Sequence, residues 1–130
     1  NLRKIKEFAL NIIKKYSVST PSTNTKIKFL SGGNIQKFIL GREIETKKEI
    51  IIAAHPTYGL DIQATRYIRD ELLKIRNMGS AVLLVSEDLD EILEISDRIA
   101  VMYEGEFLKI DKKENFNIEE IGLLMGGVKR

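Results

Sequence analysis

The chain has 130 residues, of which 43% are hydrophobic and 31% charged, with a formal net charge of +2 and no cysteine. Such a length suits one small domain, and the missing thiols exclude a disulfide framework or a thiolate metal site. Charges of both signs are interspersed, which makes no case for nucleic acid or a membrane surface as partner, and no apolar stretch approaches the length of a membrane span.

Taken in order, Asn1-Leu2-Arg3-Lys4 opens directly into a helical pattern and lacks the apolar core of a secretory signal. The first residue is not Met, which predicts a piece of a longer chain. Leu2, Ile5, Ala9, Ile12 and Tyr16 recur at helical spacing with Lys and Glu between them, so an amphipathic helix should end near Tyr16. Ser17 to Thr25 clusters Ser, Thr, Pro and Asn and reads as a loop.

The next stretch, Leu30-Ser31-Gly32-Gly33-Asn34-Ile35-Gln36-Lys37, places a serine and two glycines at the head of a helical pattern. Ser31 suits the N-cap. A side chain at either glycine would stand where a ligand must approach the backbone. First-turn N–H groups and the positive end of the helix dipole then face outward, an arrangement that accepts phosphate. The plainer reading is a capped surface helix after a glycine turn. That helix should run from about Ser31 to Ile44, with Ile35, Phe38 and Ile39 as its buried stripe and Arg42 on a solvated face. Thr46 to Lys48 is a polar break.

From Glu49 to Ala54 the run is apolar after its first residue, as in a strand buried on both faces. Asp61 should cap the next helix, whose stripe is Ala64, Ile68, Leu72 and Ile75 and which Gly79 stops. Ala81 to Val85 is a second buried strand. Asp88 and Glu91 read as a capping box for a short helix with Leu89, Ile92 and Leu93. Arg98 to Tyr103 is a third strand, and the turn signal Glu104-Gly105 predicts that Glu106 to Ile110 pairs back antiparallel. Asn117 and Glu120 suggest a last cap, before Ile118, Ile121 and Leu124. Tyr58 and Arg98 read as packing and sheet edge, and Met78, Met102 and Met125 as filler. Alternating strands and helices give an α/β unit with a mainly parallel sheet flanked by helices.

The ordered set LSGGN, then Ile50 to Thr57 ending in Ala54-His55-Pro56-Thr57, then Gly59-Leu60-Asp61, then Val85-Ser86-Glu87, resembles the second half of an ATP-binding cassette (ABC) ATPase. These stretches look like the signature motif, the Walker B strand, the D-loop and the switch-histidine loop. The resemblance covers nearly the whole chain and is closest to the second cassette of tandem importers for nucleosides and simple sugars. It implies a partial P-loop NTPase fold, in which residues 1–45 are part of a helical signature subdomain, 46–110 the C-terminal half of the ATPase core, and 111–130 a tail with a short helix. The Walker A half is missing, and no G-x-x-x-x-G-K-[ST] occurs in the chain. In the family's sheet the Walker A strand lies between the strands matching Ala81–Val85 and Arg98–Tyr103. A chain without it should re-pair its strands, or expose edges that invite self-association.

Three positions depart from the family's catalytic pattern. Ala54 stands where an Asp would act through the magnesium shell, His55 where a Glu would polarise water, and Glu87 where the switch histidine would be. Ala54 offers no oxygen to a hard cation, and a carboxylate at Glu87 would repel a γ-phosphate. His55 is expected to line the site without catalysing, although an imidazole can accept a proton near neutral pH. The chain alone is therefore expected to be catalytically inactive, with no metal site and no tightly bound cofactor. The resemblance implies ATP and Mg²⁺ in the complete protein. It also implies that Ser31, Gly32, Gly33 and Asn34 serve nucleotide held by an opposing cassette, and that the D-loop residues Gly59, Leu60 and Asp61 couple the two sites. The expected partners are that cassette and membrane permease subunits, with the protein cytoplasmic and peripheral to the inner face of the membrane. Two other readings are a soluble ABC ATPase acting on ribosomes or DNA, and a non-catalytic interaction fragment.

Overall fold

The computed structural model describes residues 1–46 and 48–128, so Lys47, in the expected polar break, and the last two residues of the tail lie outside the described residues. Two compact units divide the chain, Asn1–Val85 and Ser86–Arg130.

The first unit runs α1 (Leu2–Lys15), a 3-10 turn at Ile27–Phe29, α2 (Gly32–Glu45), β1 (Ile50–Ala54), α3 (Ile62–Asn77) and β2 (Ala81–Val85). Helix α1 ends at the expected place, with Tyr16 as its C-cap. Ile12, Tyr16 and Val18 are buried together, and Ile13, Leu30, Phe38, Ile44 and Tyr67 pack around them. A hydrogen-bond knot locks the end of α1 to the end of α2. Glu45 accepts from Lys15 Nζ at 2.6 Å, from the Tyr16 hydroxyl at 2.9 Å and from Asn11 Nδ2 at 3.3 Å. The Lys15 bond first, and the Tyr16 bond second, hold the Glu45 carboxyl below its ordinary range. Burial, followed by the bond to Glu45, pushes the Tyr16 phenol up.

The expected stripe on α2 needs correction. Ile35 and Phe38 are half-buried and Ile39 is exposed, while the one buried position of the helix is Gly41. A Cβ at Gly41 would lie 2.6 Å from Tyr16 Cδ2 and 2.9 Å from Ile12 Cγ2. The close approach of two helices uses the missing side chain, and an apolar-periodicity search does not look for glycine.

Helix α3 follows the sequence closely. Asp61 accepts from Ala64 N at 2.8 Å, the stripe Ala64, Ile68, Leu72 and Ile75 is buried, and Gly79 follows the helix at φ +100°. Strands β1 and β2 pair in parallel from Ile50 opposite Ala81 to Ala54 opposite Val85. Burial on both faces is not observed. Ile51 is buried, but Ile50, Ile52 and Leu83 are 66%, 69% and 56% exposed. The runs are apolar enough for a two-sided cover, yet within this unit only one face receives it. Among the described residues no strand pairs with the second edge of β2. The re-pairing of that edge allowed for above is therefore not seen among the described residues.

The second unit runs α4 (Leu89–Ile95), β3 (Arg98–Tyr103), β4 (Glu106–Lys112), a 3-10 turn at Lys113–Asn115 and α5 (Ile118–Met125). Strands β3 and β4 form the expected antiparallel hairpin, with an irregularity between Val101 and Met102. Glu104 (φ +47°) and Gly105 (φ +85°) both take positive φ, as the right-handed strand twist favours in a two-residue turn. Ile99, Val101, Ile121 and Leu124 are its core, joined by Leu89, Ile92, Leu93, Leu108 and Phe116.

The Asp88 half of the expected capping box is seen directly. Asp88 accepts from Glu91 N at 3.0 Å, but the Asp88 N–H donates to Ser86 Oγ at 3.1 Å, and the Glu91 side chain is buried. Asn117 caps α5 by accepting from Glu120 N at 2.7 Å, while the Glu120 carboxylate accepts from Lys109 Nζ at 2.7 Å.

Candidate functional site

The exposed start of α2 carries a chain of polar contacts. Ser31 has extended backbone (φ −66°, ψ 156°) and caps the helix, its Oγ accepting from Asn34 N at 3.4 Å and from Asn34 Nδ2 at 2.9 Å. Asn34 Oδ1 in turn accepts from Ser19 N at 2.7 Å, which ties the 17–25 loop to the helix start. Ser31 and Gly32 are exposed, and Gly33 and Asn34 half-buried. The first-turn N–H groups of a helix lack partners within it, and the dipole makes that end positive. The chemistry on offer here is hydrogen-bond donation to an anion.

The two glycines have an additional reason that the sequence does not disclose. A Cβ at Gly33 would meet Ala64 Cβ at 3.1 Å, and one at Gly32 would meet Leu60 Cδ2 at 3.6 Å. The start of α2 thus packs on the first turn of α3 and on the loop before it. The structure brings together Ser31, Gly32, Gly33 and Asn34 with Leu60 and with the helix that Asp61 caps. Gly59 takes φ +70°, and no atom would meet a Cβ there, so backbone conformation alone favours glycine. Tyr58, expected to pack, is instead 86% exposed beside this loop. Lys37, one turn into α2, lies 4.8 Å over the ring of Tyr67, whose phenol burial, then Glu71, pushes up to about 12. Arg42 is exposed, as expected, and pairs with Glu43 at 2.7 Å.

The end of β1 is different in kind. Ala54 and His55 are exposed. The His55 N–H donates to Val85 O at 2.8 Å and so prolongs the β1–β2 ladder by one bond. His55 takes φ +47°, uncommon for a residue with a side chain. Glu87 belongs to the second unit, where it is exposed. Among the described residues no three His, Asp or Glu side chains gather closely enough to hold a metal ion. No helix among the described residues is long and apolar enough to cross a membrane.

Sequence reasoning missed Ser19 and Ala64. Ser19 acts only through its backbone N–H, 15 residues from its acceptor, and Ala64 appeared only as a core position.

A scan against protein-family models gives no match. Curated relatives are nevertheless plain. The chain is 44% identical over 119 residues to the guanosine import ATP-binding protein NupO of Bacillus subtilis, covering 92% of this chain and 23% of that protein. It is 40% identical over 124 residues to the nucleoside import ATP-binding protein NupA of Lactococcus lactis, covering 95% of this chain and 24% of that protein. Among solved structures, the ADP- and phosphate-bound dimer of the ATP-binding cassette MJ0796 superposes with a TM-score of 0.73 at 27% identity, over 88% of this chain and 49% of that one. The chain spans about a quarter of the length of the curated relatives it matches and about half of the solved cassette. By sequence the chain matches part of ABC import ATP-binding proteins, and by fold it matches about half of an ABC ATP-binding cassette.

Proposed function

We propose that this chain is part of the energising subunit of an importer for nucleosides or simple sugars, and that its Ser31–Asn34 stretch serves nucleotide held by an opposing cassette. The single observation that carries this reading is the outward-facing start of α2, built as a set of donors and seated on the first turn of α3. The naming of guanosine and nucleoside import proteins among its relatives supports the solute class.

The roles follow from the chemistry. The Ser31 hydroxyl and the N–H groups of Gly32 and Gly33 at the start of α2 donate to phosphate oxygens. Asp61 holds the first turn of α3 beneath them, so that a shift in the Gly59–Asp61 loop is felt at Gly32 and Gly33. Such a cassette acts with ATP, a permease in the membrane, and a second cassette that supplies the Walker A loop. In the complete protein Mg²⁺ accompanies the nucleotide. The residues at positions 54 and 55 do not fit that ion, because Ala54 carries no side-chain oxygen, and among the described residues no group of three His, Asp or Glu gathers there. No step is therefore assigned to Ala54, His55 or Glu87, and the cassette's own nucleotide site is structural or slow. The protein would sit at the cytoplasmic face of the membrane, held there by the permease. Residues 1–45 would form part of the signature subdomain, 46–110 the second half of the ATPase core and 111–130 the tail.

Ser31→Arg in the complete protein tests this. The arginine side chain should block approach to the helix start and abolish most ATP turnover, while nucleotide binding to the opposing cassette persists. Unchanged turnover would overturn the reading. Co-purification with ribosomes or DNA instead of a permease would favour a soluble ABC ATPase.

A further inference from the structure

In the hydrogen-bond chain at the start of α2, each group's chemistry fixes the next. The Ser19 backbone N–H can only donate, so the Asn34 atom it meets at 2.7 Å must be the carbonyl oxygen. That sets the orientation of the whole amide, and the NH₂ group then faces Ser31 Oγ at 2.9 Å. Asn34 N also points at Ser31 Oγ, at 3.4 Å. A hydroxyl oxygen has two acceptor sites and one hydrogen. Both acceptor sites of Ser31 are committed to Asn34, and the hydrogen must leave in another direction. Among the described residues no acceptor is recorded for it, and Ser31 is exposed.

We propose that Asn34 is a positioning residue, which fixes the Ser31 hydroxyl as an outward hydrogen-bond donor rather than touching nucleotide itself. The proposal rests on the reading of Ser31 as a contact to nucleotide phosphate. It assigns the Asn34 side chain wholly to the interior of the motif, with Ser19 as its anchor. The hydroxyl is then preorganised as a donor before the phosphate arrives, and no rotor has to be turned during binding. It also gives the 17–25 loop a route to the site: a movement of Ser19 releases the amide, and the amide releases the hydroxyl.

The test is a double-mutant cycle on ATP turnover by the complete protein, with thermal unfolding followed for every variant. Asn34→Asp keeps the oxygen that Ser19 needs and replaces only the NH₂ donor by an acceptor, which turns the Ser31 hydrogen inward. Ser31→Ala removes the hydroxyl. Each single change should lower kcat/KM roughly tenfold or more, as loss of one hydrogen bond to a charged acceptor does. The double variant should be no slower than Ser31→Ala alone. A penalty for Asn34→Asp that persists in the Ser31→Ala background would mean that Asn34 acts by its own contact or by charge, and would overturn the proposal. So would normal turnover in Asn34→Asp when Ser31→Ala is slow, and in both cases Ser31 keeps its role. Normal turnover in Ser31→Ala would overturn the proposal together with the reading of the site. Should Asn34→Asp fail to fold, the neutral Asn34→Ala in the same cycle carries the same expectation and the same refutation.

Discussion

At the start of α2, Ser31, Asn34 and Ser19 hold one another by three hydrogen bonds, and Gly33 sits against Ala64 of α3. At the end of β1, less than thirty residues on, Ala54 and His55 lie exposed, and both bonds recorded for His55 are made by its backbone. Under the proposed reading, the first place offers donors to a phosphate held by an opposing cassette, and the second lies where this cassette's own site would need oxygens for a cation. Hydrogen bonds to the Ser31 and Asn34 side chains organise the first, and neither Ala54 nor His55 brings a carboxylate to the second. On that reading, the contrast teaches that a chain can organise the donors it presents outward without organising a cation site of its own.

The comparison breaks first at its foundation. Ile68, 1% exposed on α3, supports the surface on which α2 is seated. Ile68→Ala should cost about 3 kcal/mol of stability in chemical denaturation; a loss under about 1 kcal/mol would mean that α3 is not the support. Gly33→Val comes next. Its Cβ would already crowd Ala64 Cβ at 3.1 Å before the two methyls are added, and overpacking of this kind costs about 1–3 kcal/mol. A neutral result would show that the start of α2 lifts freely off α3. Asp61→Ala removes the cap of α3 and should cost about 1 kcal/mol, most of it restored by Asn at the same position.

A smaller effect separates the scaffold from the site by pH. The Glu45 carboxyl is held below its ordinary value of 4.5, first by Lys15 and then by Tyr16. With the folded value depressed, the knot contributes its full stability above pH 4.5 and loses it as pH falls through the folded value. Unfolding curves taken from pH 6 downward should therefore flatten in Glu45→Gln, and an unaltered acid limb would remove Glu45 from the account.

The smallest effect is expected at the other pole. His55→Ala should change stability by no more than about 0.5 kcal/mol and leave ATP turnover of the complete protein as it was. A large loss of turnover would give the imidazole a chemical role and erase the contrast.

Sequence by itself determined whatever depends on neighbours three or four residues apart. The caps at Ser31, Asp61, Asp88 and Asn117, the stripe Ala64-Ile68-Leu72-Ile75 and the Glu104-Gly105 turn all appear where they were expected. Each is a local hydrogen bond, a helical period or a backbone preference, complete within one short segment. Tertiary structure alone decided that Gly41 lets α2 meet Tyr16, that Gly33 lies on Ala64, that Asn34 reaches Ser19, and that β1 and β2 are covered on one face only. These features join residues far apart along the chain, and a glycine, a backbone N–H or an apolar run shows only one half of such a pair. An Ile-rich strand states how much surface it is able to bury, and the elements around it settle how much is buried.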